Sequence, residues 1–186
     1  MLDAAYQLIA EAGTAEVSLA EVALSAGIGR TTLYDYFSDR DDLIAALVED
    51  ELPVVLGEII EAVDRSLPVG DQLAELAVKT VEFVATDRVY GVILHREVGR
   101  MGLEAQERIR QSHSDLSSTM AGLYQRGLEA GIFDAHPPAL AGRLIQDTIM
   151  SAARVLIDGR ADRQTVTASL RSFLLKGLGH EDFANS

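Results

Sequence analysis

Apolar residues recur at helical spacing along nearly the whole chain, and nowhere does a sustained alternation of apolar and polar residues appear. The first stretch already shows it: Leu2, Ala5, Leu8, Ile9 and Ala12 share one helical face, and Gly13 follows as a stop. A strand sends every second side chain to the opposite face, so a pattern with a period near 3.6 cannot lie in a sheet. The fold class expected is all-α.

Helix punctuation divides the chain. Ser18 opens a second helix with a capping box to Glu21, ahead of Leu19, Val22 and Ala23, and Ala26-Gly27 ends it. A short third helix covers about Arg30 to Tyr36. Asp39 can cap a fourth, which Pro53 should kink or divide because it lacks an N–H and clashes with the preceding turn. Further helices are expected from Asp71, from Asp87 to about Val98, over about Glu104 to Ala130, and over 139–157 and 162–176, before a polar tail at 179–186. The division expected is a headpiece, 1–47, and a body, 48–186.

Composition narrows the function classes. The 186 residues include no Cys, which excludes disulfides and thiolate metal sites. The four His (His95, His113, His136 and His180) show no metal-ligand spacing, and neither a Gly-rich phosphate loop nor a nucleophile elbow occurs. We therefore expect no metal, no cofactor and no enzymatic activity. No uncharged run approaches the roughly 18 residues needed to span a bilayer, and Met1 leads straight into an amphipathic helix. A cytoplasmic protein is expected, without a membrane partner. The net charge of −13 argues against non-specific coating of nucleic acid, which needs clustered Lys and Arg, but not against a small basic site.

One such site is legible. Leu19–Ala26, the turn Gly27-Ile28-Gly29 and Arg30–Tyr36 have the layout of a helix-turn-helix, with Ile28 plugging the turn and Val22 and Leu33 packing between the helices. Arg30, Thr31, Thr32, Tyr34 and Tyr36 are then left around the exposed end of the second helix. They suit a DNA major groove: Arg for guanine or phosphate, Thr for hydroxyl bonds and thymine methyls, Tyr for phosphate. The same spacing also permits three packed helices with no DNA role.

The wider string Leu19-Ala20-Glu21-Val22-Ala23, Ala26-Gly27-Ile28, Thr32-Leu33-Tyr34-Asp35-Tyr36-Phe37 and Arg40-Asp41-Asp42-Leu43 resembles the DNA-binding signature of the tetracycline-repressor (TetR) family over residues 2–48. The resemblance implies an all-α homodimer, and most members of that family are transcriptional repressors relieved by a ligand. Position by position, Ser18 and Tyr36 resemble phosphate clamps, and Arg30, Thr31, Thr32 and Tyr34 the groove-facing set. Arg40 stands where the family usually has a phosphate-touching Lys, and Phe37 is the aromatic that seals the headpiece core. Three features depart from the pattern. Gly29 replaces a common Ser, no basic arm precedes the first helix, and residues 1–48 hold two cations, Arg30 and Arg40, against eight acids, a net of −6.

In the body, the helix over 139–157 sets Arg143, Asp147, Met150 and Arg154 on one stripe and is largely apolar on the rest of its surface, so it should be covered on more than one side. With the last helix it suggests half of a four-helix dimer interface, drawn from Leu140, Leu144, Ala152, Val155, Leu156, Val166, Leu170, Phe173 and Leu174. By matched helix order, Tyr90, His95, His113, Tyr124 and Gln146 are the candidates for contacting a small hydrophobic effector, with Pro53 making the fourth helix a kinked lever. The expected function is that of a homodimeric repressor released from a palindromic operator on double-stranded DNA by that effector. The rival reading is a helical protein-interaction or sequestration module of the same fold that binds DNA weakly or not at all, and the acidic headpiece is its support.

Overall fold

The structure, a computed structural model, describes residues 1–13 and 17–179, apart from the side chain of Arg88. Glu16, His180 and the expected polar tail beyond Gly179 lie outside the described residues. All regular elements among the described residues are helical. In order they are α1 (Leu2–Ala12), α2 (Leu19–Ser25), α3 (Arg30–Tyr36), α4 (Arg40–Glu61), α5 (Val69–Thr86), α6 (Arg88–Val92), α7 (Leu103–Ser112), α8 (Ser114–Glu129), α9 (Pro138–Ile157) and α10 (Arg163–Gly177). A π-helical turn, Ile93–Glu97, and a 3-10 turn, Val98–Arg100, continue α6.

The chain forms two compact units, one of residues 1–54 and 87–113, the other of residues 55–86 and 114–186. The expected headpiece therefore shares its unit with α6, the two irregular turns and α7. Helix α4 runs unbroken through Pro53, so the proline does not divide it, and the boundary between the units falls one residue later, after Val54.

In the first unit, Ala5 and Ile9 of α1, Val22 and Ala23 of α2, Leu33 of α3 and Leu43, Ile44, Leu47 and Val48 of α4 make the core, and Phe37 is buried with them. The turn after α2 is a Schellman motif. Gly27, at φ +66°, donates to the Leu24 carbonyl, and Ile28 donates to that of Ala23 at 3.0 Å. A side chain at residue 27 would be strained in this left-handed conformation. Ile28 itself is half-buried.

In the second unit, α5 packs against α8, α9 and α10. Leu73, Leu76, Ala77 and Val81 of α5 meet a single stripe of α9 made of Ala141, Ile145, Ile149 and Ala153, with Val166, Leu170 and Leu174 of α10. Asp162 caps α10 by accepting from Thr165 N–H at 2.9 Å. At the end of α8, Phe133 stacks on Tyr124 with centroids 5.7 Å apart and lies against the bare Cα of Gly127.

Two expectations are corrected. The single helix over Glu104–Ala130 is two helices, α7 and α8, broken at His113. The expected α-helix from Asp87 to Val98 keeps α geometry only to Val92. Asp87 does cap it, its Oδ1 accepting from Val89 and Tyr90 N–H at 2.9 and 3.0 Å.

Candidate nucleic-acid interface

The headpiece presents its second helix outward. Leu33 is the only buried residue of α3, so a seven-residue helix is held by one apolar anchor and the turn before it. Arg30, Thr31, Thr32, Tyr34 and Tyr36 are all exposed, the two tyrosines to 56% and 65%. Arg30 forms no ion pair with any described residue, so its five donors face solvent. Gly29 caps α3 without a side-chain hydrogen bond, which leaves that helix start more open than a Ser would.

Ser18 serves as the N-cap of α2. Its backbone N–H donates to Glu21 Oε2 at 2.8 Å, and Glu21 N–H donates back to Ser18 Oγ at 3.3 Å, completing the capping box. The Ser18 hydroxyl and then its backbone hold the Glu21 carboxyl below the usual carboxylate range. Ser18 is exposed, but its hydroxyl also donates to Glu21 Oε2, at 2.7 Å, so the capping box occupies both of its donors and a phosphate would have to displace that carboxylate.

The start of α4 is more tightly engaged than its sequence suggests. Asp39 caps it through Asp42 N–H at 2.9 Å. Arg40 Nη2 donates to Glu97 Oε2 at 2.8 Å, and Gly102 N–H donates to Asp41 Oδ2 at 2.9 Å. Arg108 of α7 bridges Asp42 at 2.6 Å and both oxygens of Glu49, at 2.9 and 2.6 Å. Of the eight acids counted in residues 1–48, the exposed Glu21 and Asp39 are engaged in local helix caps, while Asp41 and Asp42 are held from outside that segment by Gly102 and Arg108. Sequence reasoning missed this network because its partners lie 57 to 66 residues away in the chain. The one legible hint was the excess of arginine over acid in 88–110, five against three.

The structure does not bring the five effector candidates together as free polar groups. Tyr90 is buried, its hydroxyl donating to Glu51 Oε2 at 2.9 Å, and burial first, then that carboxylate, pushes its pKa far up. His95 lies half-buried in the π-helical turn, and His113 closes α7 in the same unit. Burial pushes the His113 imidazole below its ordinary value. Tyr124 belongs to the other unit, and its hydroxyl is committed there: it donates to Asp134 O at 2.9 Å and accepts from His136 N–H at 3.0 Å. Gln146 points away from the core stripe of α9 and is exposed.

The nine interface candidates also separate. Val166, Leu170 and Leu174 are buried within their own unit, because the apolar face of α10 meets α5 and α9. Ala152, Val155 and Leu156 are half-buried. Leu140, Leu144 and Phe173 are the exposed ones, at 48%, 51% and 66%. Among the described residues no cluster of His, Asp and Glu is placed to hold a metal ion, and no helix is long and apolar enough to cross a membrane.

Comparison with known proteins decides the class of this interface. The profile described as "Bacterial regulatory proteins, tetR family" matches residues 1–47, and "Tetracyclin repressor-like, C-terminal domain" matches residues 66–178. The chain belongs to the TetR family. It is a DNA-binding transcriptional regulator with an N-terminal helix-turn-helix and a helical body. Among its curated relatives, this TetR-family regulator is 23% identical to the fatty acid metabolism regulator protein of Bacillus subtilis, over 96% of this chain and 93% of that one. It is 28% identical to the HTH-type transcriptional repressor KstR2 of Rhodococcus jostii, over 96% and 89%. Among solved structures, FadR from Bacillus subtilis in complex with stearoyl-CoA superposes with a TM-score of 0.79 at 23% identity, over 95% of this chain and 96% of that one. RolR with resorcinol superposes at 0.70, with 23% identity over 97% and 86%. These likenesses fix the fold as that of the family.

Proposed function

We propose that the regulator is a homodimeric repressor that reads a pseudo-palindromic operator with α3 of each subunit and is released from it by a small, largely apolar ligand. The observation that carries the reading is the outward set Arg30, Thr31, Thr32, Tyr34 and Tyr36 on a helix anchored by Leu33 alone. Ser18 and Arg40 flank that set as backbone contacts. Residues 1–47 are the DNA-reading segment, and 48–186 supply dimerisation and the ligand site. The acidic headpiece, which favoured a sequestration module, weighs less now that Asp41 and Asp42 are engaged by Gly102 and Arg108.

Four large apolar side chains left exposed on α9 and α10, Leu140, Leu144, Ile157 and Phe173, support a symmetric pairing of these helices. An apolar patch of this kind marks a protein interface. The ligand-bound structures of FadR with stearoyl-CoA, an apolar acyl chain on a charged carrier, and of RolR with resorcinol support a small-molecule effector with an apolar part. A thermal-shift screen of acyl-CoA esters and phenols, followed by gel shifts with a selected operator, tests the release step. A stabilising compound should also weaken operator binding, with a coupling of about 5–150-fold. Stabilisers that leave DNA affinity unchanged would remove ligand release from the reading.

A further inference from the structure

Residues 1–48 supply only two cations for holding a polyanion, so the rest of the same compact unit must be asked for others. The segment beside them answers. Glu97 is buried in the π-helical turn, and its carboxylate has a guanidinium on each oxygen: Arg40 Nη2 at 2.8 Å on Oε2 and Arg100 Nη1 at 4.0 Å on Oε1. Arg40 opens α4 four residues after the exposed Tyr36, so it lies at the edge where α3 ends. Through Glu97, Arg100 is brought to that same edge from a distant part of the sequence. Its side chain is 80% exposed, and Arg96, one turn earlier, is also exposed and forms no ion pair with any described residue.

We propose that Arg100, with Arg96 beside it, is a second DNA-backbone clamp, supplied by the π and 3-10 turns rather than by the helix-turn-helix. Arg40 is held by two carboxylates, Glu97 at 2.8 Å and Asp41 at 3.8 Å, and is thereby compensated. Arg100 is the freer of the two, at the outer limit of an ion pair and almost wholly hydrated. A planar guanidinium with donors on two edges is suited to phosphate oxygens. The arrangement also accounts for how an acidic headpiece holds DNA: attraction is local, and part of it comes from outside residues 1–47. The clamp rests on the DNA-binding reading above and extends its contact set.

The test is a set of anisotropy titrations of the full chain on a selected operator duplex and on a random duplex, across a series of salt concentrations. Arg100→Ala should weaken binding several-fold on both duplexes and reduce the slope of log K against log salt by about 1 per subunit. Arg100→Lys should keep most of that slope. Arg143→Ala removes an equal charge from α9 and should change neither quantity. Phosphate-ethylation interference should lose, in Arg100→Ala, a position other than those lost in Arg40→Ala. A wild-type slope in Arg100→Ala would overturn the clamp, and so would an equal loss in Arg143→Ala. If the wild-type protein bound neither duplex, the DNA-binding reading would fall and the clamp with it. Wild-type binding with a silent Arg100 would overturn the clamp alone.

Discussion

Tyr6 donates its hydroxyl hydrogen to Asp87 Oδ2 at 3.0 Å, across 81 residues of chain. The other oxygen of that carboxylate caps α6, so one side chain fixes the start of α6 and ties it to the first headpiece helix. Asp87→Ala removes both functions. A lost cap alone costs about 0.5–2 kcal/mol. Tyr6→Phe keeps the ring beside Tyr90, 6.2 Å between centroids, and loses only the hydroxyl bond, about 1 kcal/mol. Urea denaturation should therefore rank Asp87→Ala well below Tyr6→Phe in stability.

Two groups give stability a defined pH dependence. The Ser38 backbone N–H, then Arg108, holds the Asp42 carboxyl below its ordinary range. Its unfolded value is about 3.9, so its contribution is complete above that pH and is lost as pH falls through the folded value. His113 is held low by burial, which outweighs the opposing effect of the Ile109 backbone carbonyl. Unfolded chains bind its proton below about pH 6.5, so stability declines as pH descends from there toward the folded value. Melting curves from pH 8 to 5 should fall in wild type and flatten in His113→Gln. Asp42→Asn should remove part of the loss below pH 4.

Exposure separates the proposed interface from the core on α10. Phe173→Glu, alone or with Leu144→Glu, should give a folded monomer in sedimentation, because neither side chain supports its own unit. Leu170→Ala should instead cost about 2–5 kcal/mol in unfolding, as buried leucines do. A dimer unchanged by Phe173→Glu and Leu144→Glu together would place the interface elsewhere.

Gly127 should tolerate no side chain. A Cβ there would lie 2.1 Å from Phe133 Cδ2, and the ring is already stacked on Tyr124. Gly127→Ala forces Phe133 out of that stack, at a cost of about 1–3 kcal/mol for overpacking. Calorimetry should show the loss, and Phe133→Leu in the same chain should recover part of it.

Local signals were readable wherever the chain itself holds both partners. The Ser18–Glu21 box, the Asp39 cap and the Gly13 and Gly27 helix ends are short-range chemistry, and all lie where the residue pattern puts them. The break at His113 was not readable, since neither Gly nor Pro marks it and the charge pattern of Glu104–Arg110 continues a helix smoothly. The π-helical turn has no sequence signature either. In the site, the exposed set on α3 followed from the spacing around Leu33. The grip of Glu97 on Arg40, and of Arg108 on Asp42 and Glu49, depends on tertiary contacts that periodicity does not encode.

Sequence-specific reading by α3 is the step on which the proposed repressor function depends. Selection of duplexes from a random pool with the purified full chain, followed by affinity measurement for wild type and Arg30→Ala, tests it in one series. Wild type should enrich a two-fold-symmetric site with half-sites about 34–36 Å apart. Arg30→Ala should bind that site about 1–3 kcal/mol more weakly, some 5–150-fold, while binding random duplex nearly as before. Enrichment of no symmetric site, or an Arg30→Ala variant that holds the selected site as tightly as wild type, would contradict it.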